Sequence, residues 1–303
     1  MLHLRLITGP LLVVMLVAMM WLDARSDAWI AHLFPSIESP PRGVFLVAFL
    51  ALIITPLACI ELASLLRATG LRAPTGLIIV AGELGLVAGS IALANAAGAE
   101  FVSANVAAAS LPAALLLMFL IALLTLTRGR RIDGVGGGIG AALVAFVALG
   151  ITLAFFVALR QIHGPWLLVA IILTVKSCDI GAYFVGRTWG RKKLIPWLSP
   201  GKTWEGLIGG VVTSTVVGAL LAWWSTTTDS PLPIVVGAIG GLLLGAAGQA
   251  GDLAESLLKR GANAKDSGAL LPGMGGLLDV VDSLLPAGPV AAVVLMIAAA
   301  ASG

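Results

Sequence analysis

The residues best equipped for chemistry crowd into the last third of the chain. The run G-Q-A-G-D-L-A-E-S-L-L-K-R-G-A-N-A-K-D-S-G-A-L-L-P-G-M-G-G-L-L-D-V-V-D-S, residues 248–283, alternates acids, bases and glycines with apolar turns. Asp252, Ser256 and Lys259 stand at helical spacings that place them on one face, with Glu255 and Arg260 flanking. Lys265 and Asp266 follow a small-residue turn, and Asp279 and Asp282 lie three apart on the next helical stretch. Hard oxygen donors at Asp252, Asp266, Asp279 and Asp282 suit a divalent cation such as magnesium, which takes one or two carboxylates together with substrate phosphates. Gly273, Gly275 and Gly276 allow a ligand close to the backbone. The ordinary alternative is a solvated charged loop, but such loops seldom alternate with apolar helical turns.

Two earlier segments add polar groups. Lys176, Asp179 and Tyr183 share a helix face inside an apolar stretch. A charge at mid-span costs from about 2.5 to more than 10 kcal/mol, so it is a functional suspect, with a fold-stabilising Lys–Asp pair as the plain alternative. Ser199, Lys202, Thr203 and Glu205 stand where a polar loop enters a helix, and free backbone N–H groups with a lysine there could hold a phosphate. A simple helix cap at Ser199 or Thr203 is the competing reading, and the segment is not a Walker loop. Glu61 and Glu83, the acids of the earlier spans, read as structural. Acids, bases and glycines gathered at one membrane face point to phosphoryl or nucleotidyl transfer, where a nucleotide from water meets a phospholipid head group.

The elements that must carry these groups are membrane helices. Of 303 residues 59% are apolar and 11% charged, with 37 glycines and a mean hydropathy of +1.06, which excludes a soluble globular domain and a disordered chain. Nine segments approach the length a bilayer needs: Leu6 to Leu22, Val44 to Leu66, Gly76 to Ala97, Val106 to Thr127, Val135 to Leu159, Trp166 to Val185, Gly206 to Trp224, Ile234 to Ala250, and Leu284 to Ala301. The expected fold is all-α, a polytopic helical bundle of about nine transmembrane helices forming one integral membrane domain over 1–303. Residues 1–160 are expected to be scaffold and 161–303 to hold the reacting groups. The first apolar run lacks a small-x-small cleavage pattern and reads as an uncleaved span.

Alternating loops hold very unequal numbers of bases. Arg5, Arg67, Arg72, Arg128, Arg130, Arg131, Arg187, Arg191, Lys192, Lys193, Lys202, Lys259, Arg260 and Lys265 fall on one side, and Arg25, Arg42 and Arg160 on the other. The positive-inside rule then places the N-terminus and the reacting groups in the cytoplasm. The net charge of +3 is mild, and the 18 bases report orientation or lipid contact and not a nucleic-acid partner. Cys59 and Cys178 lie in apolar stretches and imply no disulfide framework, and the scattered His3, His32 and His163 form no zinc motif.

These segments resemble the phosphatidate cytidylyltransferases, or CDP-diacylglycerol synthases. Ser256, Lys259, Arg260, Lys265, Asp266, Gly268, Gly275, Gly276, Asp279 and Asp282 match the family pattern in order and spacing, and 179–187 and 199–206 are similar to it as well. Two positions depart: Met274 stands where the family usually has His, and Val280 where it usually has Arg. The resemblance implies that CTP and phosphatidic acid give CDP-diacylglycerol and pyrophosphate, with a divalent metal, at the inner membrane of a bacterium, in a homodimer surrounded by membrane lipids. It implies Asp252 and Asp279 as leading ligands of Mg2+, with Asp282 and Asp266 as further or supporting ligands and room for a second cation. Lys202, Lys259, Arg260 and Lys265 are then expected on phosphate charge, and Ser199, Thr203, Glu205 and Ser256 to orient substrate. Asp179 and Tyr183 shape the cleft, and Gly275 and Gly276 line it. The rival readings are a CTP-dependent polyprenol or dolichol kinase, another lipid-phosphate cytidylyltransferase, and, from a different class, a cation-coupled secondary transporter.

Overall fold

The computed structural model describes residues 2–33, 42–98, 102–128, 132–227 and 231–302, with side chains from residue 11 to residue 301 of these. The described helices are α1 (Leu2–Leu33), α2 (Val44–Ala68), α3 (Thr75–Ala96), α4 (Ala104–Thr127), α5 (Val135–His163), α6 (Pro165–Trp189), α7 (Trp204–Ser225), α8 (Ile234–Gly261), the single turn α9 (Leu278–Val281) and α10 (Ala287–Ser302). Between α6 and α7 lies an antiparallel hairpin of β1 (Lys193–Ile195) and β2 (Ser199–Thr203). Among the described residues the seven helices α2 to α8 are long and apolar enough to cross a membrane, and the protein is an all-α polytopic membrane protein.

The two outer segments differ from expectation in length. The helix over Leu6 to Leu22 continues to Leu33, while the last apolar helix begins only at Ala287, after Pro286. Proline has no N–H for an intrahelical bond, so it opens a helix more readily than it continues one. Arg130 and Arg131 of the base count, and the side chain of Arg5, lie outside the described residues.

The chain forms two compact units, Met1–Leu168 with Gly261–Val280, and Val169–Arg260 with Val281–Gly303. In the first unit α3 presents Gly82, Gly85 and Gly89 to a wide π-helical segment of α5, Ala145–Ile151. A Cβ on Gly85 would strike the Phe146 carbonyl, and one on Gly150 the Gly82 carbonyl, so only small residues permit this backbone approach.

The same unit buries an ion cluster. Arg160, 1% exposed, donates from Nε to Asp23 Oδ2 and from Nη2 to Asp27 Oδ2 at 2.6 Å, and Asp23 itself is fully buried. The carboxylates also accept from the backbone, Asp23 Oδ1 from Leu46 N at 2.9 Å and Asp27 Oδ1 from Gly43 N at 3.0 Å. This explains the length of α1: Asp23 and Asp27 are matched by a base, so the helix need not stop at Leu22. Arg160 is accordingly a core residue and not a solvated loop base. Asp23→Ala is expected to destabilise the protein by about 3 kcal/mol, because the buried guanidinium keeps only Asp27 as a carboxylate partner and Leu46 N loses its acceptor. Adding Arg160→Met should recover much of that loss, as read from thermal unfolding in detergent.

In the second unit α6, α7 and α8 also meet through small residues. Gly181 lies against Thr213, Gly210 against the Cys178 carbonyl, and Gly241 and Gly245 against Ser214. These close approaches hold the polar ends of α6 and α8 together.

Candidate active site

Helix α8 changes character along its length. Its first turns are apolar and glycine-rich, and its last turns carry Gln249, Asp252, Glu255, Ser256 and Lys259. Gly248 and Gly251 let the turn after α9 lie directly on this helix: a Cβ on Gly251 would meet the Asp282 carbonyl and Pro286, and one on Gly248 would meet Val175 and Ser283. The result is an acidic cluster. Asp252, Glu255 and Asp282 each offer a carboxylate oxygen, and these oxygens lie within 4.8 Å of one another. Glu255 and Asp282 are buried and Asp252 is half-buried.

Lysines surround the acids. Lys202 Nζ, at the end of the hairpin, is 2.7 Å from Asp252 Oδ2 and donates to Gln249 Oε1 at 3.1 Å. Gln249 in turn donates to Asp179 Oδ1 at 2.8 Å. Lys176 donates to Ser283 Oγ at 2.8 Å and lies 3.7 Å from Asp179, and Lys259 donates to Glu255 Oε2 at 2.6 Å. A cleft of about 390 Å³ opens beside this network, bounded by Asp179, Tyr183, Lys202, Thr203, Gln249 and Asp252.

Burial pushes the Asp282 carboxyl up to about 6; Lys176 opposes this, and the negative charges of Asp252 and Asp179 add to it. A cation seated on the cluster needs the ionised form. Divalent-ion affinity is therefore expected to rise about tenfold per pH unit up to pH about 6 and to level off above it. Titration of Mn2+ at pH 5, 6 and 7 checks this, and Asp282→Asn should flatten the dependence.

The first unit holds a second polar centre. The loop after α8 doubles back through Ser267, Gly273 and Gly275, the last two with positive φ, before entering α9. Glu61, on the last turns of α2, accepts from Leu277 N at 2.9 Å, from Leu278 N at 2.8 Å and from Ser267 Oγ at 2.9 Å. Asp279 Oδ2 accepts from Ser267 N at 2.8 Å, Gly276 N at 2.8 Å and Ser267 Oγ at 2.9 Å. A serine has one hydroxyl proton, so Glu61 and Asp279 compete for the same donor. The glycines fit around these acids. A Cβ on Gly276 would sit 2.3 Å from Glu61 Oε2, one on Gly268 would sit 2.6 Å from Glu61 Oε1, and one on Gly275 would sit 2.5 Å from Asp279 Oδ2. Gly276→Ala should thus disorder the loop, seen as faster amide exchange over 265–279 with α2 to α5 unchanged.

Of the four acids expected at a metal, Asp252 and Asp282 come together in the second unit, with Glu255 as their companion. Asp266 and Asp279 belong to the first unit, where Asp279 organises the glycine loop and Lys265 and Asp266 are exposed. Thr203 caps α7, its Oγ1 accepting from Gly206 N at 3.1 Å, and it also bounds the cleft. Glu205 accepts from the backbone N–H of Arg191 at 3.1 Å and of Lys192 at 3.2 Å. Ser199 opens β2, and Arg260 Nε donates to the Leu198 carbonyl at 3.2 Å. Tyr183 OH accepts from Arg187 at 2.7 Å, and Ser256 is half-buried on α8 one turn after Asp252. Gln249 has no role in the sequence reading, Glu255 is only a flanking charge there, and Glu61 is a structural acid without its partners. A spacing signal exists for Gln249 and Glu255, which stand three residues before and after Asp252.

Comparison with known proteins decides the family. A model described as the cytidylyltransferase family matches residues 5–298. The chain belongs to the cytidylyltransferase family. Among its relatives are the phosphatidate cytidylyltransferases of Haemophilus influenzae, 43% identical over 134 residues (42% of this chain, 44% of the relative), and of Bacillus subtilis, 38% identical over 149 residues (48% and 54%). The uncharacterized protein YnbB of Escherichia coli is 45% identical over 135 residues, 43% of each chain. The matched stretches thus span about half the length of these curated relatives, or less. In this cytidylyltransferase-family chain Met274 sits in the tight turn of the glycine loop, its N–H donating to Leu271 O at 3.0 Å, and Val280 lies within α9.

Proposed function

We propose that this chain joins CTP to phosphatidate, giving CDP-diacylglycerol and diphosphate. The observation that carries the reading is the convergence of Asp252, Glu255 and Asp282, with Asp252 paired to Lys202 and both of these bounding the cleft. Family membership and the names of the relatives support the choice of substrates. The donor set fits Mg2+, because all three groups are hard carboxylates whose oxygens lie within 4.8 Å of one another. Such an ion, held by Asp252, Glu255 and Asp282, would supply charge neutralisation and a template for phosphate oxygens.

The chain's own residues do the remaining work. The attacking lipid phosphate oxygen is already anionic, so no general base is required. It bonds to the α phosphorus of CTP as the bridge to the β phosphorus breaks and diphosphate leaves with the electron pair. Lys202, Lys259 and Arg260, all in the second unit, balance the charge of the nucleotide tail and of the leaving group. Thr203 and Glu205 keep the hairpin and the start of α7 in register so that Lys202 reaches the acids, and Ser199 and Ser256 orient phosphate oxygens. Asp179 and Tyr183 shape the cleft. Gly275 and Gly276 make room for the carboxylates of Asp279 and Glu61, which order the glycine loop that also carries Asp266. Residues 161–303 hold these groups and residues 1–160 the scaffold, Glu61 excepted. The bases on the side that bears the site orient it to the cytoplasmic leaflet of a bacterial inner membrane. Glycine-rich helices permit close packing of two copies in a homodimer surrounded by lipid.

The test is product analysis with protein in vesicles, phosphatidic acid, and CTP labelled separately at the α and γ phosphates. Label from the α position in a cytidine-bearing lipid is expected. Lipid carrying only the γ label would instead identify a CTP-dependent lipid kinase.

A further inference from the structure

The segment between α6 and α7 joins the ends of two membrane-crossing helices, so it lies at a membrane face. Within 187–205 it holds five bases, Arg187, Arg191, Lys192, Lys193 and Lys202, against a single acid, Glu205. Two of these bases are engaged elsewhere: Lys202 with Asp252 and Gln249, and Arg187 with Tyr183. Arg191, Lys192 and Lys193 are exposed. The one acid offsets them only in part: its carboxylate feels the charge of Lys192, but chiefly it accepts the backbone N–H groups of Arg191 and Lys192 and so pins the bend that displays the side chains.

Around this basic bend stand three indoles. Trp189 is 70% exposed, Trp197 72% and Trp204 51%. Trp204 adjoins the bend directly, its backbone N–H donating to the Lys192 carbonyl at 3.0 Å, and Trp197 lies in the turn of the hairpin, closed by Leu198 N to Ile195 O at 3.1 Å. Three large aromatic surfaces left open at the end of two spans would be unfavourable in water, whereas the head-group layer accommodates an indole's apolar body and its polar N–H. Bases at that depth lie within reach of lipid phosphates.

We propose that this hairpin is an interfacial docking element for anionic phospholipid, with the indoles seated at head-group depth and Arg191, Lys192 and Lys193 paired with lipid phosphates. The occupant is the acidic leaflet and not a free nucleotide: the tryptophans call for an amphipathic surface, and of the hairpin's bases it is Lys202 that meets the acidic cluster. Because Lys202 ends the same hairpin, the element also brings acidic lipid to the rim of the cleft. The docking proposal requires only that the helices cross a membrane, so it stands or falls independently of the reaction proposed above.

The experiment uses the full chain in vesicles of brominated phosphatidylcholine, with or without brominated phosphatidylglycerol in its place. Bromine quenches indoles in contact with it, and subtracting the signal of Trp197→Phe isolates Trp197. Stronger quenching of Trp197 by the anionic lipid is expected, with about a fivefold preference lost for each base removed and most of it lost in the Arg191→Gln, Lys192→Gln, Lys193→Gln triple variant or in high salt. Trp223 and Trp224, at the far end of α7, serve as the control that the triple variant is folded and inserted, since their quenching should not change. Trp197 unquenched by either lipid, or quenched equally by both in wild type and triple variant, overturns the proposal. So does protection of Trp197 in lipid-free detergent by CTP or pyrophosphate that the triple variant abolishes, because the bases would then serve the nucleotide.

Discussion

Asp252→Asn is expected to lower turnover by about a thousandfold and to weaken binding of a divalent ion at least as strongly, while the protein still folds and inserts. Asp252 is the member of the acidic cluster that Lys202 also contacts, at 2.7 Å, so its charge organises both the proposed ion and the phosphate-directed base. The amide keeps the shape of the side chain and the hydrogen-bonding capacity of one oxygen, but it removes the negative charge. Folding should survive because Asp252 is half-buried and at a rim, where its pairing with Lys202 contributes little to stability. Steady-state rates with labelled CTP, together with thermal unfolding of the same preparation, separate the two effects. A variant with near-normal turnover would remove the cluster from the reaction.

Glu61→Gln is expected to act through the glycine loop and to cost about a hundredfold in turnover. Glu61 accepts two backbone N–H groups, of Leu277 and Leu278, and the Ser267 hydroxyl. Glutamine retains one acceptor oxygen and turns an NH2 toward one of these donors, so at least one charge-assisted bond, worth about 1.5–3 kcal/mol, is lost. Glu61→Ala should be worse, because both N–H groups then lack their acceptor inside the protein. The signature of a positioning role is faster amide exchange at Leu277 and Leu278. Coupling with Asp279→Asn is a second signature, because the two acids share Ser267, and the double variant should lose less than the two single losses combined. Normal exchange with reduced turnover would instead point to direct contact between Glu61 and substrate.

The membrane architecture was readable from hydropathy because a span needs only length and apolarity, and both are local properties. Its errors came from partners distant in sequence. Asp23 and Arg25 looked like the end of a first span, yet α1 runs on because Asp23 and Asp27 meet Arg160, more than a hundred residues later. The hairpin reads in sequence only as a polar loop, since S-P-G-K-T has no alternating apolar face.

The candidate site was legible to the same depth. Helical spacing aligned Asp252 with the bases that follow it on α8. The sequence could not reveal that Gly248 and Gly251 would bring the turn of Asp282 and Ser283 against that helix, which makes Glu255 a neighbour of Asp282. Nor can it pair Glu61 with a loop 206 residues away, although an acid near the end of a span and a glycine run are each visible.

The most direct test of the acidic cluster is to soak crystals or grids of the full chain with Mn2+ and locate the ion, by anomalous scattering in the crystal case. The account predicts one peak bounded by Asp252, Glu255 and Asp282, absent in Asp252→Asn. A peak elsewhere, with these three carboxylates vacant at saturating Mn2+ and pH 7, would contradict it.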